Sequence, residues 1–335
     1  MDIQALEQWY QKHQRLLPFR TSRNPYHIWI SEIMAQQTQM ETVVSYFVRF
    51  IEKYPTVFDL ASADEESLHK LLEGIGYYRR FQYMQKAAKL IVLNYQGRFP
   101  DTYEQVRELP GVGDYTAGAI MSIAYQKPHA ATDGNVVRVL SRYLGIDEDM
   151  KDAKSRKKID VINQAYIKDA HPEVYTQAMM ELGALICKPV KPLCENCPLR
   201  EGCFAFHNGK TADLPVISRK TVTKIRQFVV VILRNNHQIA VAKNEDGLLK
   251  GMYLYPQFEN MNIEEVILQL TSYGYTVEQV QYHKAYKHIF THQKWQMKVY
   301  QIDVTNVPNE SHYSFVDDVH SVPMAIAHRK IKLAE

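Results

Sequence analysis

All four cysteines of this chain fall between residues 187 and 203, as Cys187, Cys194, Cys197 and Cys203 in the spacing C-x6-C-x2-C-x5-C. No cysteine occurs elsewhere, so the residue is not being used as an ordinary small core filler. The N-terminus (Met1, Asp2, Ile3, Gln4) lacks a basic-then-apolar leader, and no run of about 18 apolar residues offers a membrane span. The expected setting is the cytoplasm, where thiols stay reduced and two disulfides are disfavoured. Four thiolates this close suit a metal centre, either tetrahedral zinc or an iron–sulfur cluster, and the spacing does not separate the two. Lys188 and Lys191 lie in the first cysteine loop and Arg200 in the last. A metal that pins these loops can hold basic side chains rigidly against phosphates.

Charge supports a phosphate-bearing partner. The net charge is only +3, but residues 187–226 hold eight Lys or Arg against three Asp or Glu, which leaves the rest of the chain near neutral. A solvated linker would look the same on charge alone. With 335 residues, 46% hydrophobic, the chain is long enough for two domains. Residues 1–214 read as helical. Ile3, Leu6, Trp9, Tyr10, His13, Leu16 and Leu17 recur at helical spacing until Pro18, and Trp29, Ile33, Met34, Met40, Val43, Val44, Phe47 and Ile51 repeat the pattern over 27–52. Further helical stretches lie near 64–73, 80–95, 115–125, 133–144, 155–169 and 173–186. A Lys/Arg/Thr-rich linker is expected at 215–225. Residues 226–335 then read as α+β: strands at Phe228–Leu233, Gln238–Ala242 and Trp295–Val304, a turn at Asn235-Asn236, and a short helix over 263–273. Leu72-Glu73-Gly74-Ile75-Gly76-Tyr77 echoes Leu109-Pro110-Gly111-Val112-Gly113-Asp114-Tyr115. Both are Gly-x-Gly turns between helices, where bare backbone N–H groups can approach an anion.

Three motifs together carry a resemblance. Leu109 to Ala119 has the form of a helix–hairpin–helix turn, Thr132-Asp133-Gly134-Asn135-Val136 follows about 20 residues later, and the cysteine loop completes the set. The chain resembles the helix–hairpin–helix DNA glycosylases that carry a [4Fe–4S] cluster. Trp29-Ile30-Ser31-Glu32-Ile33-Met34-Ala35-Gln36-Gln37-Thr38-Gln39 is similar to the signature of the adenine-excising, MutY-type branch. The resemblance implies an all-α glycosylase domain, with the cysteines holding iron–sulfur rather than zinc. Gly247-Leu248-Leu249-Lys250-Gly251-Met252-Tyr253-Leu254-Tyr255-Pro256 resembles the start of the Nudix-like second domain of that branch. A hydrolytic Nudix domain needs R-E-x-x-E-E to hold Mg²⁺. Residues 259–275 offer only Glu259, Glu264 and Glu265, so this domain reads as a recognition module.

The resemblance also implies roles. The family excises adenine mispaired with 8-oxoguanine or guanine from double-stranded DNA, and the chain is expected to act as a monomer away from membranes. A departing purine needs protonation, and the sugar left behind carries positive charge. A positioned acid and an anion meet those needs. Glu32 and Asp133 match the family's pair; without that context, Glu32 reads as a helix surface residue and Asp133 as a helix N-cap. Tyr115 stands where strand-cleaving relatives carry a Schiff-base lysine, so an endonuclease III-like lyase is disfavoured and the phenol is expected to hydrogen-bond near Asp133. Gln37, Thr38 and Tyr77 are expected at the opened duplex, Gly111 and Gly113 on phosphate, and Arg15, Arg20 and Gln177 around the adenine. Leu16-Leu17-Pro18-Phe19-Arg20 departs from the family's Leu-Pro-Trp-Arg by placing Phe where an indole donor is usual. Phe290, Thr291 and His292 resemble a Phe-Ser-His loop used against 8-oxoguanine. A non-catalytic iron–sulfur DNA-binding protein is the alternative from another class, and it would require Glu32 and Asp133 to be idle.

Overall fold

The computed structural model describes residues 1–218 and 224–332. They gather into two compact units, residues 1–62 with 80–218 and residues 63–79 with 224–332.

The first unit is helical. α1 (Ile3–His13) starts at Asp2, whose side chain accepts from the Ala5 N–H, and it buries Leu6, Trp9 and Tyr10. It ends well short of Pro18, and Leu16 is left in solvent. The long apolar run over 27–52 is two helices, α2 (Pro25–Ala35) and α3 (Met40–Lys53). Gln37 takes a left-handed φ of 56° between them. The apolar positions on either side stay in phase, so periodicity alone reads straight through the turn. There follow α4 (Val57–Ser62), α5 (Glu65–Leu71, which belongs to the second unit), α6 (Arg79–Tyr95), α7 (Tyr103–Arg107), α8 (Asp114–Ile123), α9 (Gly134–Leu144), α10 (Ala153–Lys168) and α11 (Pro172–Glu181). A π-helical turn at Leu182–Ile186 leads into the cysteine loop, and α12 (Phe204–His207) closes it. One core gathers Leu6 and Trp9 of α1 with Val136 and Leu140 of α9, Ile159 of α10, and Tyr175 and Met179 of α11. Full burial of each such side chain is worth about 1.5–3 kcal/mol. This core fixes α11 and α9, the helix whose N-cap is Asp133.

The second unit is a mixed sheet with short helices. Its strands are β1 (Lys224–Asn235), β2 (Gln238–Lys243), β3 (Tyr253–Leu254), β4 (Gln257–Glu259), β5 (Thr276–Ile289), β6 (Gln293–Asn306) and β7 (Ser314–Val316). The order is β3-β2-β1-β6-β5, with β4 on β1 and β7 on β2. β1 and β6 run parallel, and the other pairs are antiparallel. α13 (Ile263–Ser272) begins with a capping box between Asn262 and Glu265 and lays Val266 and Leu270 on Val229, Val231, Leu233 and Ile302 of the sheet. α14 (Ile326–Arg329) follows β7. α5 packs here, with the buried His69 Nδ1 3.2 Å from the Gly251 carbonyl oxygen.

Of the expected linker, residues 215–218 dock on the first unit, where Val216 O accepts from Met150 N and Asp149 Oδ1 accepts from Ser218 N. Lys224 and Ile225 are already in β1. Residues 219–223 lie outside the described residues. Among the described residues, no helix is long and apolar enough to cross a membrane.

Candidate active site

One cleft of about 760 Å³ in the helical unit is lined by Arg15, Phe19, Arg20, Glu32, Gln37 and Thr38 from its first third. Gly111, Gly113, Tyr115 and Asp133 line it as well. Residues spread over more than 100 positions of sequence thus share one space. Gln177 is not among the lining residues. It is buried in α11, its Nε2 donates to Glu173 O at 3.2 Å, and its Oε1 has no partner among the described residues.

Glu32 sits in the last turn but one of α2 and is buried. Burial pushes its carboxyl above the ordinary glutamate range. The hydrogen bond from Tyr115 and the charge of Arg20 pull it back down, and the charge of Asp133 adds to the rise. The Tyr115 hydroxyl donates to Glu32 Oε2 at 2.6 Å, in the cleft that Asp133 also lines. α8, starting at Asp114, turns the side chain of Tyr115 toward α2. Asp133 does cap α9. Its Oδ1 accepts from Val136 N and its Oδ2 from Asn135 Nδ2, both at 2.8 Å. Asn135 Oδ1 in turn accepts from Arg138 Nη2 at 2.8 Å, and Arg138 Nε donates to the Cys187 carbonyl at 2.7 Å. Asp133 and the cysteine loop are therefore braced by the same helix.

Phe19 is buried edge-on to Phe47, with ring centroids 5.3 Å apart. Arg20 and Arg15 both pair with Glu181, Arg15 Nε at 2.9 Å from Oε2. Glu181 is wholly buried, and the sequence reading missed it. Its signal was present: it is the one charge in the apolar stretch from Ala178 to Ile186. Arg80 was missed too. Its guanidinium donates to the Ile33 and Met34 carbonyls at 2.9 Å, to the Gln36 carbonyl, and to Thr38 Oγ1 at 2.9 Å, bracing the turn that exposes Gln37. Nothing in its neighbourhood of sequence marks a surface-like Arg as a turn brace. Between α7 and α8 the turn is held by Arg107, which donates to Asp114 Oδ1 and to the Val112 carbonyl. Among the described residues no side chain caps α8, which leaves its first N–H groups open to an anion.

All four cysteines are free thiols that line one small cavity with Arg142 and Phe206. Arg142 donates to the Lys188 and Pro189 carbonyls at 2.7 and 3.0 Å and lies 3.4 Å from Cys187 Sγ. Burial pushes the thiols of Cys194, Cys197 and Cys203 up, Cys197 to about 12. Lys188 and Lys191 are exposed. Arg200 pairs with Glu195 and Glu201, at 2.6 and 2.9 Å.

Tyr77, Phe290, Thr291 and His292 belong to the second unit. Phe290 packs edge-on against Trp295 at 4.9 Å and closes the β5–β6 turn through its N–H to Gln293 O, which leaves Thr291 and His292 exposed at the tip. The Tyr77 hydroxyl contacts Thr291 Oγ1.

Residues 30–164 match the family described as HhH-GPD superfamily base excision DNA repair protein, and residues 228–334 match the NUDIX domain. Adenine DNA glycosylases of Buchnera aphidicola subsp. Baizongia pistaciae and subsp. Acyrthosiphon pisum are 31% and 33% identical to the chain. Each comparison covers 86% of this chain, and 82% and 83% of theirs. The adenine DNA glycosylase of Homo sapiens is 40% identical over 60% of this chain and 38% of its own. Among solved structures, a thermostable thymine-DNA glycosylase superposes with a TM-score of 0.56 at 27% identity, covering 62% of this chain and 95% of that one. A non-covalent endonuclease III–DNA complex gives 0.51 at 26% identity with the same coverage. The buried carboxyl, the capping aspartate, the helix–hairpin–helix turn and the second domain thus occur together in a chain that belongs to the MutY-type adenine DNA glycosylase family of base excision repair.

Proposed function

We propose that the chain binds double-stranded DNA as a monomer and hydrolyses the N-glycosidic bond of adenine mispaired with 8-oxoguanine or guanine, leaving an abasic site. The observation that carries this reading is Glu32, a carboxyl that burial pushes above its ordinary range, in the same cleft as Asp133. Tyr115 donates to Oε2, which leaves Oε1 to carry the acidic proton of the neutral carboxyl and to pass it to a nitrogen of the extruded adenine. Once the base has left, Tyr115 and Arg20 stabilise the resulting carboxylate, which can accept a proton from the attacking water. Asp133, fixed by Val136 N and Asn135, supplies negative charge to the cationic sugar. The adenine must leave the stack to reach these groups. Gln37 and Thr38 on their braced turn, with Tyr77, are suited to fill the gap, and the open N-terminus of α8 beyond Gly111 and Gly113 suits a backbone phosphate.

Tyr115 cannot form a Schiff base, which makes the enzyme monofunctional with at most weak lyase activity. Cys187, Cys194, Cys197 and Cys203 fit a [4Fe–4S] cluster. Four free thiols line one cavity with Arg142, the donor set that a thiolate-held cluster takes. Bound there, such a cluster would pin the loop that carries Lys188 and Lys191.

An 8-oxoguanine:A duplex incubated with the protein and then split with and without alkali tests the reading. Strand breaks that appear only after alkali are expected. Breaks without alkali would point to a lyase, and an intact adenine under both conditions would leave only a DNA-binding protein.

A further inference from the structure

The segment 63–79 is flanked on both sides by chain of the helical unit, yet its contacts lie in the sheet unit. Three side chains hold it there. The His69 ring occupies the place where a Cβ on Gly251 would stand, with Cε1 2.1 Å from that position. Lys70 Nζ donates to Glu73 Oε2 at 2.8 Å and to the Val322 carbonyl at 3.1 Å. Arg329 Nε donates to Glu73 Oε1 at 2.6 Å, while its Nη atoms reach the Val319 and Val322 carbonyls, each at 3.2 Å. Glu73 and Arg329 are both largely buried, with side chains 17% and 21% exposed. That shelter makes their pairing stronger than that of a surface pair.

The turn that follows carries its own bonds, Gly74 N donating to Tyr78 Oη at 2.8 Å and Ile75 N to the Leu72 carbonyl at 3.2 Å, with Ile75 and Tyr78 buried. Gly74, Gly76 and Tyr77 all have left-handed φ, at 100°, 78° and 51°. Such a backbone belongs to no helix or sheet ladder, and each of its two ends is anchored besides. Glu73 is one end. At the other, the Tyr77 hydroxyl rests on Thr291 Oγ1 at the tip of the β5–β6 turn.

We propose that residues 63–79 are part of the lesion-reading unit, and that Glu73 and Arg329, with Lys70, form a positioning clasp that holds Tyr77 against Thr291. Opening of the duplex at Tyr77 and reading of the base at Thr291 then occur as one event. The inference rests on the function proposed above, in which both residues meet the mispair.

The test compares wild type with Arg329→Met, Glu73→Gln and the double variant. Excision is measured at sub-saturating 8-oxoguanine:A and G:A duplexes, and amide exchange over residues 72–78 is measured without DNA. Each single variant should lower the preference for 8-oxoguanine:A by about fivefold or more, a usual size for coupling between two sites. The double variant should lose no more than the larger single, because the two residues act through one contact. The excision rate at saturating enzyme should stay near wild type, and exchange over 72–78 should rise. A purely structural ion pair would lower the melting temperature and slow both substrates alike with the preference intact, and that result overturns the proposal. Unchanged exchange in the variants also overturns it, whatever the substrates do. A wild type without any preference would instead sink the proposed substrate while the exchange result still judges the clasp. Should Arg329→Met fail to fold, Glu73→Gln, which keeps the side chain's shape, decides the matter.

Discussion

Glu32 shows at the scale of one residue how folding spends stability on chemistry. Its carboxyl is raised by burial, so the folded state holds the proton more tightly than the unfolded chain does. The associated stability is fully present below the ordinary glutamate value and is lost as pH rises through the raised folded value. Glu32→Gln removes that penalty and keeps an oxygen for Tyr115. The variant should therefore melt above wild type near neutral pH, and the gain should vanish in acid, as a thermal series across pH would reveal. The same substitution should lower single-turnover excision by about 10²–10⁴, and the wild-type rate should fall as pH rises through the raised Glu32 value. A variant excising within tenfold of wild type would remove Glu32 from the acid role. Tyr115→Lys should bring an amine into the cleft and permit a Schiff base with an opened sugar. A pre-formed abasic duplex is the right probe, because a lysine cation beside Glu32 would also lower the carboxyl and slow excision. Borohydride should trap the variant on that duplex and not the wild type. Glu32, Tyr115 and Asp133 are legible in sequence because the motifs that surround them are local. Glu181 and Arg80 are not, because their meaning lies in partners far off in the chain: Arg15 and Arg20 for one, the Gln36–Thr38 turn for the other.

At the scale of elements, periodicity finds helices well and their breaks poorly. The break between α2 and α3 is invisible because the apolar phase is preserved across Gln37. β5 goes unrecognised because its residues are mostly exposed and its alternation is interrupted by register shifts near Thr276, Val277 and Tyr282. β1 and β6, with continuous or alternating apolar residues, are legible. Packing between elements is the part that local pattern does not carry, and Gly118 in mid-α8 is an instance. Alanine is the better helix former by about 1 kcal/mol, yet a Cβ at 118 would stand 2.2 Å from the Ala130 carbonyl oxygen. Gly118→Ala should therefore destabilise the protein by about 1–3 kcal/mol despite its propensity. It should also slow excision, because the backbone it displaces runs directly into Thr132 and Asp133. A chemical-denaturation midpoint at or above wild type would show that α8 can move aside. Asp133→Asn separates a different pair of roles. Asn caps helices about as well as Asp, so the midpoint should hold while excision collapses for want of charge. Activity that falls only in step with stability would leave capping as the residue's whole contribution.

Across the whole molecule, the order of domains is readable from where helical periodicity gives way to strand patterns near residue 214. What the sequence hides is that 63–79 packs with the later unit, since α5 has the amphipathic look of its helical neighbours and its partners Gly251, Val322 and Arg329 come long after it. The division of labour proposed here puts bond cleavage in the helical unit and discrimination at the β5–β6 turn. Telling 8-oxoguanine from guanine requires sensing an added oxygen, a changed N7 proton, or the amino group exposed when the lesion is syn. Thr291 offers a hydroxyl and His292 an imidazole, both exposed at the tip of a turn that Phe290 anchors on Trp295. Polar pairing of this kind rejects a wrong partner more strongly than an apolar surface can. Replacing Thr291 and His292 together by Ala should erode the preference for 8-oxoguanine:A over G:A under sub-saturating substrate. The maximum excision rate should change much less, because Glu32 and Asp133 keep their surroundings in the other unit. A double variant with undiminished preference would move lesion reading away from this turn.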